Sequence, residues 1–126
     1  MKDKKKRLLV MSNLIHLFER SIFELKKEKY YDIIAFDSSY ELSNQIIEVD
    51  PDLIILDSGD TAYLGIKMAL NLKLTLPTQH IPSILLHQAE ELEQLRVEPN
   101  VFDQYLLKPV DPYLLHLTID HILFQA

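Results

Sequence analysis

Five short aliphatic runs in this chain each end on a polar or charged residue. Ser12 and Asn13 follow Leu8 to Met11, and Asp37 follows Ile33 to Phe36. Asp57 follows Leu53 to Leu56, His87 follows Ile84 to Leu86, and Lys108 follows Tyr105 to Leu107. An aspartate and a lysine offer the most chemistry among these. Brought together, they would be a carboxylate nucleophile and a cation that clamps a transferring phosphoryl group. The same two residues also read as an exposed salt bridge, which contributes little. Asp57 alone also has a blander reading, as the N-cap of a following helix.

The runs themselves say what would position these residues. Pro51-Asp52-Leu53-Ile54-Ile55-Leu56-Asp57-Ser58-Gly59 holds four consecutive aliphatics bounded by turn residues. That pattern suits a strand buried on both faces of a parallel sheet. Strands are predicted at 8–11, 33–36, 53–57, 84–87 and 105–107. Between them, helical spacing recurs. Leu14, Phe18, Ile22 and Leu25 predict a helix over about 14–29. Ser38 and Glu41 have capping-box spacing, opening a helix that ends before Pro51. Residues 62–72 predict a third helix and 90–97 a short charged fourth, while 74–80 reads as a loop. Asp111-Pro112 starts a fifth, with Asp as cap and Pro in the first turn. Leu115, Ile119 and Leu123 repeat along it.

Five strands alternating with five helices predict an α/β fold with a doubly wound parallel sheet, flavodoxin-like, in the order 2-1-3-4-5. The span 1–126 reads as one domain, with 1–6 as a charged, solvated leader. Ligands in such sheets bind at the carboxyl ends of the strands, here in the crevice between strands one and three. Strands one, three, four and five would bring Ser12, Asn13, Asp57, His87 and Lys108 to one shallow site.

Composition narrows the function classes. The net charge of -6 argues against a general nucleic-acid binder, which needs a basic face. With no cysteine, disulfides and thiolate metal sites are excluded. No stretch approaches the roughly 18 apolar residues of a membrane span, and nothing resembles a signal peptide, so a cytoplasmic location is expected. Only two glycines, Gly59 and Gly65, leave no glycine-rich phosphate loop. A hydrolytic enzyme built on Asp57, His87 and Lys108 is therefore disfavoured, and the chain is expected not to be an enzyme. A flavin site would need a better loop than Ser12-Asn13-Leu14-Ile15-His16. A zinc site would need better spacing than His116 and His121, five residues apart.

Over essentially its whole length the chain resembles the receiver domain of bacterial response regulators. Asp57 closes an aliphatic strand after Pro51-Asp52, and Gly65 follows eight residues later. Ile81-Pro82 precedes strand four, and Tyr105-Leu106-Leu107-Lys108-Pro109 matches the strand carrying the switch aromatic and the lysine. The resemblance implies that Asp57 is the phosphoacceptor, Lys108 the phosphoryl clamp, and Tyr105 a switch residue. It also implies a cis bond before Pro109. The implied partners are a histidine kinase, a histidine phosphotransfer protein or another signalling protein. They would dock on a face formed by helix four, strand five and helix five. The apolar surplus on helix five (Leu114, Leu115, Leu117, Ile119, Ile122, Leu123 and Phe124) suits either a homodimer or a wide buried face.

The departures from that family are as informative. Its paired acids after strand one, which hold Mg²⁺ with the phosphoacceptor, are replaced by Ser12-Asn13. Mg²⁺ prefers charged oxygens, so only weak binding is expected, through Asp57, Asn13 and the backbone of Gly59. No other cofactor is expected. Where the family has a threonine or serine switch, this chain has His87, expected as a partly exposed histidine at a strand end. The expectation is an atypical receiver that acts by protein–protein interaction, with weak or absent Mg²⁺-dependent phosphorylation. The alternative is a receiver still phosphorylated at Asp57.

Overall fold

The computed structural model describes residues 5–18, 30–36, 48–57, 80–88 and 102–124, with backbone alone at 11–13, 36 and 57. Its strands are β1 (Lys6–Met11), β2 (Tyr31–Phe36), β3 (Leu53–Asp57), β4 (Ser83–His87) and β5 (Gln104–Leu107). They form one all-parallel sheet in the order β2-β1-β3-β4-β5. A 3₁₀ segment, Ser12–Phe18, follows β1, and an α-helix, Pro112–Phe124, follows β5.

Burial follows position in the sheet. Leu53 to Leu56 of β3 and all five residues of β4 are buried. These central strands have neighbours on both sides and cover on both faces, so every position is apolar or sequestered. Edge strands need less. In β2, Tyr31 is buried while Asp32 and Ala35 are exposed, and β5 is half-exposed throughout. At about 1.5–3 kcal/mol for each fully buried Leu or Ile, β3 and β4 contribute most of the sheet's apolar stabilisation.

One face of the sheet carries Leu8, Val10, Tyr31, Leu53, Ile55, Ile84 and Leu86. Leu14 and Phe18 of the 3₁₀ segment and Leu115 and Ile119 of the C-terminal helix pack on it. Alternation along the strands sends Leu9, Ile54, Leu56 and Leu85, also buried, to the opposite face.

Several boundaries differ from the sequence prediction. Lys6, expected in the leader, starts β1 together with Arg7, the two paired with Tyr31 and Asp32. Arg7 is held there because its N–H donates to Asp52 Oδ2 at 2.8 Å and its Nη1 to the Val49 carbonyl at 2.7 Å. The segment after β1 begins at Ser12, and its described part is 3₁₀. Asp111 caps the C-terminal helix as expected, accepting from the Tyr113 N–H at 3.1 Å. Asp50 has φ of 53°, a left-handed conformation that aspartate visits more readily than most residues. With Pro51 next, it separates helical Glu48-Val49 from β3. The predicted helices over 62–72 and 90–97 lie outside the described residues. So do most of the helix begun at Ser38, the second half of the first helix, most of the loop 74–80, and Gly59 and Gly65.

Candidate functional site

The strand order brings the carboxyl ends of β1, β3, β4 and β5 side by side. Asp57 is the last residue of β3, and its backbone pairs with Leu86 of β4. Val10 of β1 is in register with Ile55 of β3. Ser12 and Asn13 follow β1 directly, at the same end of the sheet as Asp57. The Lys108 N–H donates to the His87 carbonyl at 2.7 Å, which extends the β4–β5 ladder one step beyond β5. Ser12, Asp57, His87 and Lys108 therefore share one edge. Asp37, at the far side of β1, lies outside the described residues.

His87 differs from its sequence expectation. It is buried, at 4% exposure, because it closes a strand covered on both faces. Its Nδ1 lies 3.0 Å from the Gln88 carbonyl oxygen, a contact that requires a proton on Nδ1. Its ring meets Tyr105 edge-on at 6.4 Å between centroids. Tyr105 in turn stacks edge-on against Phe102 at 5.5 Å, and its hydroxyl accepts the Phe102 N–H at 3.2 Å. The histidine and the aromatic that the sequence assigned to switch positions are thus neighbours. The Lys108–Pro109 peptide bond is cis.

An open cleft of about 410 Å³ lies at this edge. Leu86 lines it from the sheet, with Leu14, His16 and Leu17 from the 3₁₀ segment. Lys108, Pro109 and Val110 line it from the β5–helix connection.

Of the oxygen donors a hard cation would use at this edge, Ser12 and Asn13 are neutral, Asp57 is the one carboxylate among the described strand ends, and Gly59 lies outside the described residues. Among the described residues no group of three or more His, Cys, Asp or Glu is placed to hold a metal ion.

A second polar cluster lies at the opposite, amino edge. The Tyr31 hydroxyl, at the start of β2, donates to Asp120 Oδ1. His116 Nε2 lies 3.1 Å from Asp120 Oδ2, and the Tyr31 and His116 rings meet edge-on at 6.3 Å. Tyr31 and His116 are both buried. Burial, then the hydrogen bond and charge of Asp120, push the Tyr31 hydroxyl well above the ordinary tyrosine range. Sequence reasoning missed this cluster. It weighed His116 with His121, five residues on, when the informative spacing was His116 with Asp120, four residues on and on the same helical face.

No protein-family model matches the chain. The phosphate regulon transcriptional regulatory protein PhoB of Escherichia coli (strain K12) is 31% identical over 108 residues. That alignment covers 85% of this chain and 47% of PhoB, so the chain spans about half the length of the curated relatives it matches. Among solved structures, a response regulator from Desulfuromonas acetoxidans superposes with a TM-score of 0.70 at 27% identity. It covers 95% of this chain, which covers 97% of it. The chemotaxis response regulator CheY4 of Vibrio cholerae superposes at 0.75, covering 95% of this chain and 100% of its own. At 17% identity that second likeness speaks for the fold alone.

Proposed function

We propose, from the premise that this chain is a receiver domain of the response-regulator kind, that it acts in two-component signalling chiefly as a protein-binding module. Phosphorylation at Asp57 is weak or absent. What supports this reading is the donor set at the edge that Asp57 closes: the residues that follow β1 there are Ser12 and Asn13, neither of them an acid. Charge developing on a transferring phosphoryl group then lacks the cation that would neutralise it. Buried His87 supports the same reading, since an imidazole cannot make the short hydroxyl contact of a threonine or serine.

The partners are a histidine kinase, a phosphotransfer protein or another signalling protein. Support for a docking face comes from β5 and the C-terminal helix, where Leu107, Tyr113, Leu114, Leu117 and Phe124 are each about half exposed. The apolar surplus read from the sequence is therefore on the surface, while Leu115, His116 and Ile119 are buried. A second copy of this chain could use the same face.

A second reading has its own observation. Asp57 ends β3 and Lys108 continues β5, as a phosphoacceptor and its clamp require. Intact-mass measurement after incubation with Mg²⁺ and acetyl phosphate separates the two. We expect no gain of one phosphate. A gain that disappears in Asp57→Asn establishes the phosphorylatable receiver instead. The double variant Ser12→Asp, Asn13→Asp is expected to raise Mg²⁺ affinity, read by calorimetric titration. No rise would mean that these residues do not lie beside Asp57.

A further inference from the structure

We propose that the outer face of the C-terminal helix pairs with the same face of a second copy of this chain, the two helices running antiparallel. A helix that is apolar on every side is normally buried on every side. Pro112–Phe124 is close to that case. Among Asp, Glu, Lys and Arg it contains only Asp120, which is engaged with Tyr31 and His116. Leu115, His116 and Ile119 are buried. Leu114, Leu117, His121 and Phe124 are exposed. At about 3.6 residues per turn, these four form one stripe on the side opposite the buried three. They recur at intervals of three, four and three residues, the a/d spacing by which one helix seats against another. A row of large apolar side chains about half exposed is more than the scattered leucines of an ordinary surface.

Self-complementarity and the charges at its ends name the occupant. The stripe holds no Asp, Glu, Lys or Arg, so a twofold axis through its middle opposes no like charges within it. Its two ends differ in sign. Asp111, exposed, stands at the amino end as the helix cap. Lys6 Nζ lies 5.9 Å from the centre of the Phe124 ring at the carboxyl end. In an antiparallel pair, Leu114 of each copy meets Phe124 of the other and Leu117 meets His121. Each Asp111 then comes to the end where the other copy holds Lys6, and the helix dipoles oppose. Parallel packing would set Asp111 near Asp111 and Lys6 near Lys6. Exposed charges are individually weak, so they fix direction while apolar burial along the seam supplies affinity. With one helix from each copy, the contact belongs to the small class of interface, under about 1,200 Å², and dissociation is expected on the order of 100 µM. This rests on the reading of β5 and the C-terminal helix as a docking face and narrows it to the helix and to one occupant. Its test uses neither phosphodonor nor kinase, so its failure is distinguishable from failure of the phosphorylation reading.

The test is sedimentation velocity of the full chain from about 10 µM to about 1 mM, a range that brackets the expected dissociation constant. The weight-average coefficient is expected to climb from monomer to dimer and stop there. Leu117→Lys, at an exposed position, should stay monomeric throughout. Leu114→Ser, a milder change, should weaken the dimer about fivefold or more and serves if the lysine variant fails to fold. Leu107→Lys, on β5 and off the stripe, should leave it unchanged. Direction is read by cross-linking, because the chain has no cysteine of its own. Leu114→Cys and Phe124→Cys chains, mixed and oxidised in air, should form the mixed disulfide in preference to either symmetric one. Preference for the symmetric disulfides overturns the antiparallel pair. A monomer at every concentration overturns the proposal, as does growth past the dimer. So does a dimer that Leu117→Lys leaves intact or that Leu107→Lys abolishes.

Discussion

The two edges of the sheet hold clefts of opposite character. The hollow at the amino edge is the larger, about 610 Å³, and is lined by Lys5, Lys6, Arg7, Asp32, Asp50 and Asp52. Among the described residues there, three cations face three anions. Its groups are also engaged with each other and with backbone. Asp52 Oδ2 accepts the Arg7 N–H, the Asp52 N–H donates to the Arg7 carbonyl at 2.9 Å, and Arg7 reaches Val49. The same device recurs two strands away, where Asp103, just before β5, accepts the Ser83 N–H at 2.7 Å. Tyr31 and His116 converge on Asp120 at this end, tying β2 to the C-terminal helix. The amino edge is thus stitched by aspartates that accept backbone or side-chain donors from a neighbouring element. The carboxyl-edge cleft is smaller, and among the described residues its lining is mostly apolar, with Lys108 and His16. Size does not identify the functional hollow; the chemistry of the strand ends does.

The largest expected effect tests the stitching. Asp120→Ala removes the acceptor of the Tyr31 hydroxyl and the carboxylate 3.1 Å from His116 Nε2. At about 1–3 kcal/mol for a buried group left unsatisfied, the loss should be about 1–3 kcal/mol. Urea unfolding monitored by circular dichroism reads it as a lower midpoint with unchanged slope. A change within about 0.5 kcal/mol, the range of ordinary surface substitutions, would mean that Asp120 does not hold the helix and that the two edges do not differ in this way.

A pH scan probes the same cluster with a smaller effect. The Tyr31 hydroxyl titrates higher in the folded chain than in the unfolded one. Below the ordinary tyrosine value, near 10, both states keep the proton and stability is unaffected. Above it the unfolded chain ionises first and is favoured. Tyr31 therefore costs about 1.4 kcal/mol of folding stability for each pH unit beyond that value. The unfolding midpoint of the parent chain should fall between about pH 9 and pH 11, and fall less in Tyr31→Phe, which also removes the titration of this group. Parallel profiles for the two proteins would dissociate the cluster from alkaline stability.

The contrast between the edges also explains what the sequence made legible. The order of the sheet followed from unbroken aliphatic runs at β3 and β4, because strands buried on both faces have no room for polar alternation. The carboxyl-edge residues followed too, since each simply ends a run: Asp57, His87 and Lys108 are where the strands stop. Burial of His87 was less visible, because a histidine at a strand end is exposed or covered according to what packs over it. The amino-edge contacts join residues far apart in the chain. Tyr31 and Asp120 are 89 positions apart, and Arg7 and Asp52 are 45 apart. No local periodicity signals either. Lys6 read as leader because charge dominates it, yet edge pairing with β2 and the Asp52 contact of its neighbour Arg7 place both in β1. On the C-terminal helix the apolar surplus was legible, but its division into buried Leu115 and Ile119 and exposed Leu114 and Leu117 needed the sheet's position.

The smallest expected stability effect sharpens the comparison from the other side. Lys108 is half-buried at the carboxyl edge, and its backbone N–H donates to the His87 carbonyl. Alanine keeps that N–H, so the ladder extension survives in Lys108→Ala. What is lost is a flexible cation whose interactions near the surface are screened and individually small. Urea midpoints should therefore place Lys108→Ala within about 0.5 kcal/mol of the parent. Retained stability is the signature of a residue kept for an edge's chemistry, not its stitching. If Lys108→Ala instead lowers stability as much as Asp120→Ala, the carboxyl edge is held together as tightly as the amino edge. The functional assignment would then have to rest on Asp57 alone.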